Sequence, residues 1–523
     1  MKKNLLSISL LGFTVIQAFA QTYISGNVSG TWNLAGSPYV IIANDTVPDG
    51  QTLVIDAGVT VKFALGVNMY VAGTLTANGN ATDSIRLTTA EPSPTPGQWG
   101  AINFSSDINR PLSVLQYVIL QYGGANYNPV LQSFMNTHLE HSLIEHNATG
   151  IILYAGGDES EIALKHCLIR YNDNYGLIGR SLTVYDVEFI SNTGLYAGIA
   201  GSHTTFRNCL FSQNSPMAYI LFDSNTHTSF INCLIENNTA GVGSCYVDDT
   251  LNVDSCIIRG NSGPGINGNA IYNKGTLLVT HCVIYNNTGD GITNPDHGSV
   301  IERNTIDGNA GGITNIESNS SMILRNNIIS NNTGSGFQTV VSTAPQLKFN
   351  NVYNNVPDFS GFSVFYGDTT LSTNNNGVPS DLYKNIRRNP WYVNSSSGDY
   401  HLQVNSPCID AGDLTLSDPD GSISDIGAFY FPLPVQVNEN NSENTFSLFP
   451  NPFSTQTILQ TDKVFTNAIL TLYNSLGQQV KQIKNISGQT ITLFRDNLTS
   501  GLYFLRLTQD NKVITTDKLI ISD

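Results

Sequence analysis

The chain is short of charge. Of its 523 residues only 12% are Asp, Glu, Lys or Arg, and 40 acidic residues outnumber 24 basic ones, for a formal net charge of −16. A surface this acidic excludes a nucleic-acid partner, whose phosphates need a basic face. No apolar run reaches the ~18 residues of a membrane-crossing helix, so no transmembrane segment is expected, and nothing basic and amphipathic suits a membrane surface. The longest such run, Leu5 to Ile16, follows Lys2 and Lys3 and precedes Ala18-Phe19-Ala20. That order of positive end, apolar stretch and small-x-small site reads as a secretory signal peptide over 1–20, with the mature chain starting near Gln21.

What is plentiful is Asn, Gly, Ser and Thr, a composition that suits repetitive β-structure better than helices. Aligned on an Asn that ends each short apolar segment, the chain falls into ten coils, anchored at Asn147, Asn172, Asn192, Asn214, Asn238, Asn261, Asn287, Asn309, Asn332 and Asn355. The period is shorter than that of helical repeats and lacks the leucine signature of leucine-rich repeats. Three residues before each anchor stands Ile, Phe or Val, from Ile144 to Val352; eight before it stands another apolar residue, from Leu139 to Leu347. Five before it run Ser142, Cys167, Val187, Cys209, Cys233, Cys256, Cys282, Asn304, Asn327 and Asn350. Period-2 spacing puts the last column on the same strand face as the Ile column, and stacking at ~4.8 Å makes both a continuous interior. Five of the seven cysteines therefore line one column, too far apart for disulfides, which need Cβ atoms ~3.8 Å apart. A straight ladder also lacks the tetrahedral geometry of a metal site. They are expected to be free, buried thiols, and the three Asn below them a hydrogen-bonded ladder.

This pattern of apolar-x-Asn-Cys-x-Ile-x-x-Asn, best copied at Phe206–Asn214 and Phe230–Asn238, resembles the right-handed parallel β-helix superfamily. The resemblance implies an all-β solenoid with core repeats over 115–356, opening coils that cap the parallel edge over 21–114, and a closing segment over 357–431. It says almost nothing of activity, because the fold hosts lyases, hydrolases, adhesins and tailspikes. After a linker at 432–445, residues 446–523 carry six or seven short strand patterns, expected as a small β-sandwich. Their ordered set Pro450-Asn451-Pro452, Gly477 and Leu498-x-x-Gly501-x-Tyr503 resembles the type A sorting domain of the type IX secretion system. That resemblance implies passage across the outer membrane and an extracellular or cell-surface location, with the secretion machinery as partner.

Chemistry is harder to place. The segment after each anchor carries Arg180, His203, Asp223, Asp248, Asp249 and Lys274 on consecutive coils, accompanied by Tyr154, Tyr175, Tyr196, Tyr219, Tyr246 and Tyr272. Aromatic faces beside charged edges suit an extended polysaccharide, and a loop face with Tyr packed on the coil below is the plain alternative. If the face were catalytic, Asp223, Asp248 and Asp249 would hold an ion, with Arg180, His203 or Lys274 as base for a polysaccharide lyase; paired carboxylates would serve a glycoside hydrolase. The Asn-Thr-Asp, Gly-His-Gly and Arg-Ile-Lys motifs of polygalacturonases and the Arg-x-Pro-x-x-Arg of many pectate lyases are absent. A structural adhesin is the third class. Asp418, Asp420 and Asp425 are spaced like a Ca²⁺ loop without its distal Glu, or like an Asx-capped turn; no other cofactor is implied. His141, His166 and His281 share a register without making a metal site. Finally, Leu143, Leu168, Leu210, Leu234, Ile257, Val283 and Ile328 fall between two inward columns and should form an outward apolar strip. The stems of Arg170, Arg207, Arg259 and Arg325 are expected to cover it, ahead of a chain segment or a partner.

Overall fold

Residues that repeat at one register become hydrogen-bonded partners one coil apart. Ile144 pairs with Ile169, Ile169 with Phe189 and Phe189 with Phe211, and the column continues in parallel to Val352. This is a computed structural model describing residues 21–107, 111–134, 137–154, 163–194, 196–215, 219–220, 227–244, 249–262, 270–272, 275–295, 298–316, 322–340, 346–362, 366–367, 372–432, 446–474, 478–510 and 512–523. Residues 1–20, expected as a signal peptide, lie outside them.

Each coil contributes three strands, so the cylinder has three faces. The first, with Thr137–Glu140 and Ala163–Lys165, is a 14-stranded parallel sheet from Gly30–Trp32 to Leu347–Lys348. The second includes Leu143–Glu145 and Leu168–Arg170; the third includes Ile151–Tyr154 and Tyr175–Arg180. No α-helix interrupts them among the described residues. Inward columns alternate with outward ones and close a single core, in which like rings stack: Phe189 on Phe211 and Phe206 on Phe230, each 5.0 Å between centroids.

Cys167, Cys209, Cys233, Cys256 and Cys282 are free and buried, as their column requires. Burial pushes the Cys167 thiol up to about 12. Below them Asn304, Asn327 and Asn350 donate Nδ2 to the next Oδ1 at 3.0 Å or slightly more, ending on Asn385 at 3.1 Å. The anchor Asn column does the same over ten coils. Such a ladder leaves its last amide without an acceptor unless a carboxylate terminates it, and both have one: Asp381 accepts from Asn385, and Asp358 from Asn355 at 2.9 Å. Arg387 then pairs with Asp358 at 2.7 Å.

The apolar strip points outward, and carboxylates hold the heads of three of the arginines beside it. Arg170 is drawn to Glu145 (2.7 Å), Arg259 to Glu236 (2.6 Å), and Arg325 to both Glu302 and Asp413 (2.7 Å each). A chain segment covers its far half. After Ile386 pairs beside Asn351, the closing segment runs back over the second face. It lays Leu402, Cys408, Ala411 and Ile426 on Ile328, and Tyr400 and Ala428 on Val283 and Tyr285. Gly427 lies so close that a Cβ would stand 2.7 Å from Ile328. Val283, Thr305, Ile328 and Asn351 are consequently buried, whereas Leu143, Leu168, Leu210 and Leu234 are half-buried and Ile257 is exposed.

The second unit, Pro434–Asp523, has its own core around Leu459, Leu470, Leu472, Leu493, Leu505 and Leu519. It forms one antiparallel sheet of five described strands, fewer than the short patterns suggested. Two of its strands are long, Gln456–Asn474 and Gln479–Phe494. The first pairs with Phe446–Phe449 near its start and with Gly501–Gln509 near its end, and its register against the second shifts at several bulges.

Candidate functional site

The second face is a three-residue strand held between two corners, and at each corner one residue adopts a left-handed backbone. The column before the Ser/Cys position holds Tyr117, His141, His166, Asp186, Asn208 and Asn232, with φ between 48° and 55°. The column before the anchor holds Tyr122, His146, Tyr171 and Ser191, with φ between 53° and 63°. Left-handed corners favour Asn, Asp and Gly, so rings there are unusual and turn outward. Because register is kept, they stack along the axis. Tyr117, His141 and His166 lie 4.9 and 4.7 Å apart, tilted by 7° and 15°. Tyr122, His146 and Tyr171 lie 6.0 and 5.3 Å apart, tilted by 14° and 16°.

Between the two ring ladders run the half-buried Leu143 and Leu168 and a polar row. Arg86 donates to Gln121 at 2.6 Å, Gln121 to Glu145 at 2.5 Å, and Arg170 to Glu145 at 2.7 Å. Along the first ladder a shallow groove of about 510 Å³ is lined by Tyr117, His141, His166, Leu143, Leu168, Asp186 and Glu188 among others. His166 Nδ1 stands 3.3 Å from Asp186 Oδ2. The arrangement offers two rows of ring edges, an apolar floor and carboxylates on the half of the face that the closing segment leaves open.

The residues expected from sequence lie elsewhere. Tyr154 is the register partner of Arg180, and Tyr175 of Tyr196, on the third face. Tyr219 and Tyr272 both pair with Gly243, two coils apart. Tyr175 packs with Ile178 and Ile152 in a small cluster outside the solenoid core, Tyr272 is half-buried, Arg180 and His203 are exposed, and Asp249 is buried at 2%. Asp223, Tyr246, Asp248 and Lys274 lie outside the described residues. Asp418, Asp420 and Asp425 sit in the closing segment as turn acceptors: Asp418 takes the Asp425 amide, Asp420 that of Ser422, and Asp425 those of Asp410 and Phe431. Burial pushes Asp425 up to about 7. No group of three or more His, Cys, Asp or Glu is arranged for a metal among the described residues.

The ring ladders escape an alignment that begins at Asn147, because their first coil carries Tyr117 and Tyr122 but has Gly123 at the anchor position. The usable signal is an aromatic or His recurring in consecutive coils six residues before the anchor and again immediately before it.

Residues 122–267, 179–316 and 218–378 match the right handed beta helix region family, and residues 447–522 match the secretion system C-terminal sorting domain. No curated protein matches the chain. Among solved structures, the pectate lyase Pel9A is similar at 15% identity and a TM-score of 0.32, covering 74% of this chain and 89% of its own. The PL6 family alginate lyase AlyGC is similar at 13% and 0.32, covering 62% and 55%. The periplasmic alginate epimerase AlgG is similar at 12% and 0.31, covering 64% and 83%.

Proposed function

Since the chain is a right-handed parallel β-helix followed by a type IX secretion-system sorting domain, we propose that it acts outside the cell or at its surface by binding an extended polysaccharide along the open half of the second face. The observation that carries this reading is the pair of ring ladders flanking that face. A pyranose presents apolar C–H groups that pack against the ring edges and the leucine floor between the ladders, and hydroxyls that bond to the carboxylates and amides beside them. Coils rise by ~4.8 Å, close to the monosaccharide repeat of an extended glycan, so successive coils would meet successive sugars in the same way. If the site were catalytic, His166 oriented by Asp186 would be the base of a lyase.

The corner itself supplies the conservative test, since other coils place Asn208, Asn232 and Asn326 there with the same backbone. A doubly substituted His141→Asn, His166→Asn chain should melt like the parent. Two lost ring contacts at ~0.5–1.5 kcal/mol each should weaken binding about tenfold in gels containing a panel of polysaccharides. Parent and variant running alike in every gel would rule the reading out. Following unsaturated product and reducing ends in the same mixtures separates binding from cleavage.

A further inference from the structure

The closing segment carries a second cleft, about 480 Å³, at the far end of the solenoid from the ring ladders. Asn331 and Tyr353 supply one wall, and Asn389, Trp391, Tyr392 and Gln403 the other, with Pro390 and Ser395 completing it. None of these side chains is charged. Arg388, the neighbouring cation in sequence, donates to the Arg387 carbonyl at 2.9 Å.

Trp391 stands out by its exposure, and it shares the left-handed backbone of the corner rings. It is 45% exposed, whereas Trp32 and Trp99 are buried, and its φ is +54°. A bulky residue in the left-handed region is strained, and such strain collects where a side chain is displayed for use. Here both backbone groups pin it: the Trp391 amide donates to Asn389 Oδ1 at 3.0 Å, and its carbonyl accepts from the Gln403 amide at 2.8 Å. The amides around the ring are also oriented. Gln403 Nε2 donates to the Tyr392 carbonyl at 2.7 Å, and Asn331 Oδ1 accepts from Asn354 at 2.8 Å. Each keeps further donor or acceptor capacity.

We propose that this cleft is a binding site for a neutral pyranose, which stacks its apolar face on Trp391 while the amides of Asn331, Asn389 and Gln403 bond its hydroxyls. An aromatic platform ringed by fixed amides matches an uncharged polyol. With no cation in its walls, the cleft gives uronates, sulfated sugars and phosphates nothing to offset their desolvation. The site stands on its own geometry and does not require the ring ladders to bind.

The full chain, with Trp391 the exposed fluorophore of three, is titrated with cello-, xylo-, manno- and laminari-oligosaccharides and with oligogalacturonate. At least one neutral oligosaccharide should shift tryptophan emission saturably, and oligogalacturonate should not. Calorimetry with that ligand should show affinity falling about tenfold in W391G and staying within about threefold in W391F, because only the former removes the platform. W391G should melt no lower than the parent, since Gly relieves the backbone. The H141N, H166N chain should keep the emission shift, which separates failure of this site from failure of the ring ladders. No shift with any neutral oligosaccharide, undiminished affinity in W391G, or an equal response to oligogalacturonate would each overturn the proposal.

Discussion

Asp45 is fully buried in the opening coils, and neither carboxylate oxygen has a hydrogen-bond partner. Burial pushes its carboxyl up to about 7, only partly offset by its own amide. Unfolded, the group ionises near pH 4. Between those values the folded chain holds a proton that the unfolded chain has lost, so stability falls as pH rises from about 4 to about 7 and is flat above. At ~1.4 kcal/mol per unit the span is a few kcal/mol. Melting the parent and Asp45→Asn from pH 4 to 8 should show a smaller loss in the variant, which keeps the share of Asp425, raised by burial over the same range. The corner residues make the same point about side chains acting through backbone. His141 and His166 were legible as a shared register, but not as rings stacked outward, because period-2 strand logic says nothing of where a left-handed corner aims its side chain.

At the scale of the element, the ladders are what make one coil depend on the next. Asn214 Nδ2 donates to the Phe189 carbonyl at 2.9 Å and to Asn238 at 3.1 Å, while its Oδ1 accepts from the amide of Asn192 at 3.0 Å. Asn214→Leu keeps the volume and strands these buried groups. At ~1–3 kcal/mol for each unsatisfied group, urea unfolding should report a loss of about 3–5 kcal/mol. Asn304→Ala in the neighbouring ladder should behave alike. The ladders were visible as columns in the sequence. Their ends were not, because Asp358 and Asp381 follow no repeat and are recruited only when an unpaired amide arrives beside them.

For the whole molecule, the two units have separate cores, so removing residues 434–523 should leave the circular-dichroism spectrum and melting point of the solenoid unchanged while the chain accumulates inside the cell envelope. Appearance of the shortened chain in the medium would contradict the sorting role of the tail. Removing residues 386–523 instead should lower the melting temperature sharply, because Val283 and Ile328 lose their cover. Repetition explains how much the sequence determined by itself. In a solenoid each coil contacts its neighbours, so a period, two apolar columns and an Asn column suffice to specify strands, faces, register, free thiols and the ladder. Contacts between residues distant in the chain have no period. Which half of the apolar strip the closing segment hides, which half stays open between two ring ladders, and how Trp391 comes to stand over an uncharged cleft were decided only when residues 386–431 folded back on coils up to a hundred or more residues earlier.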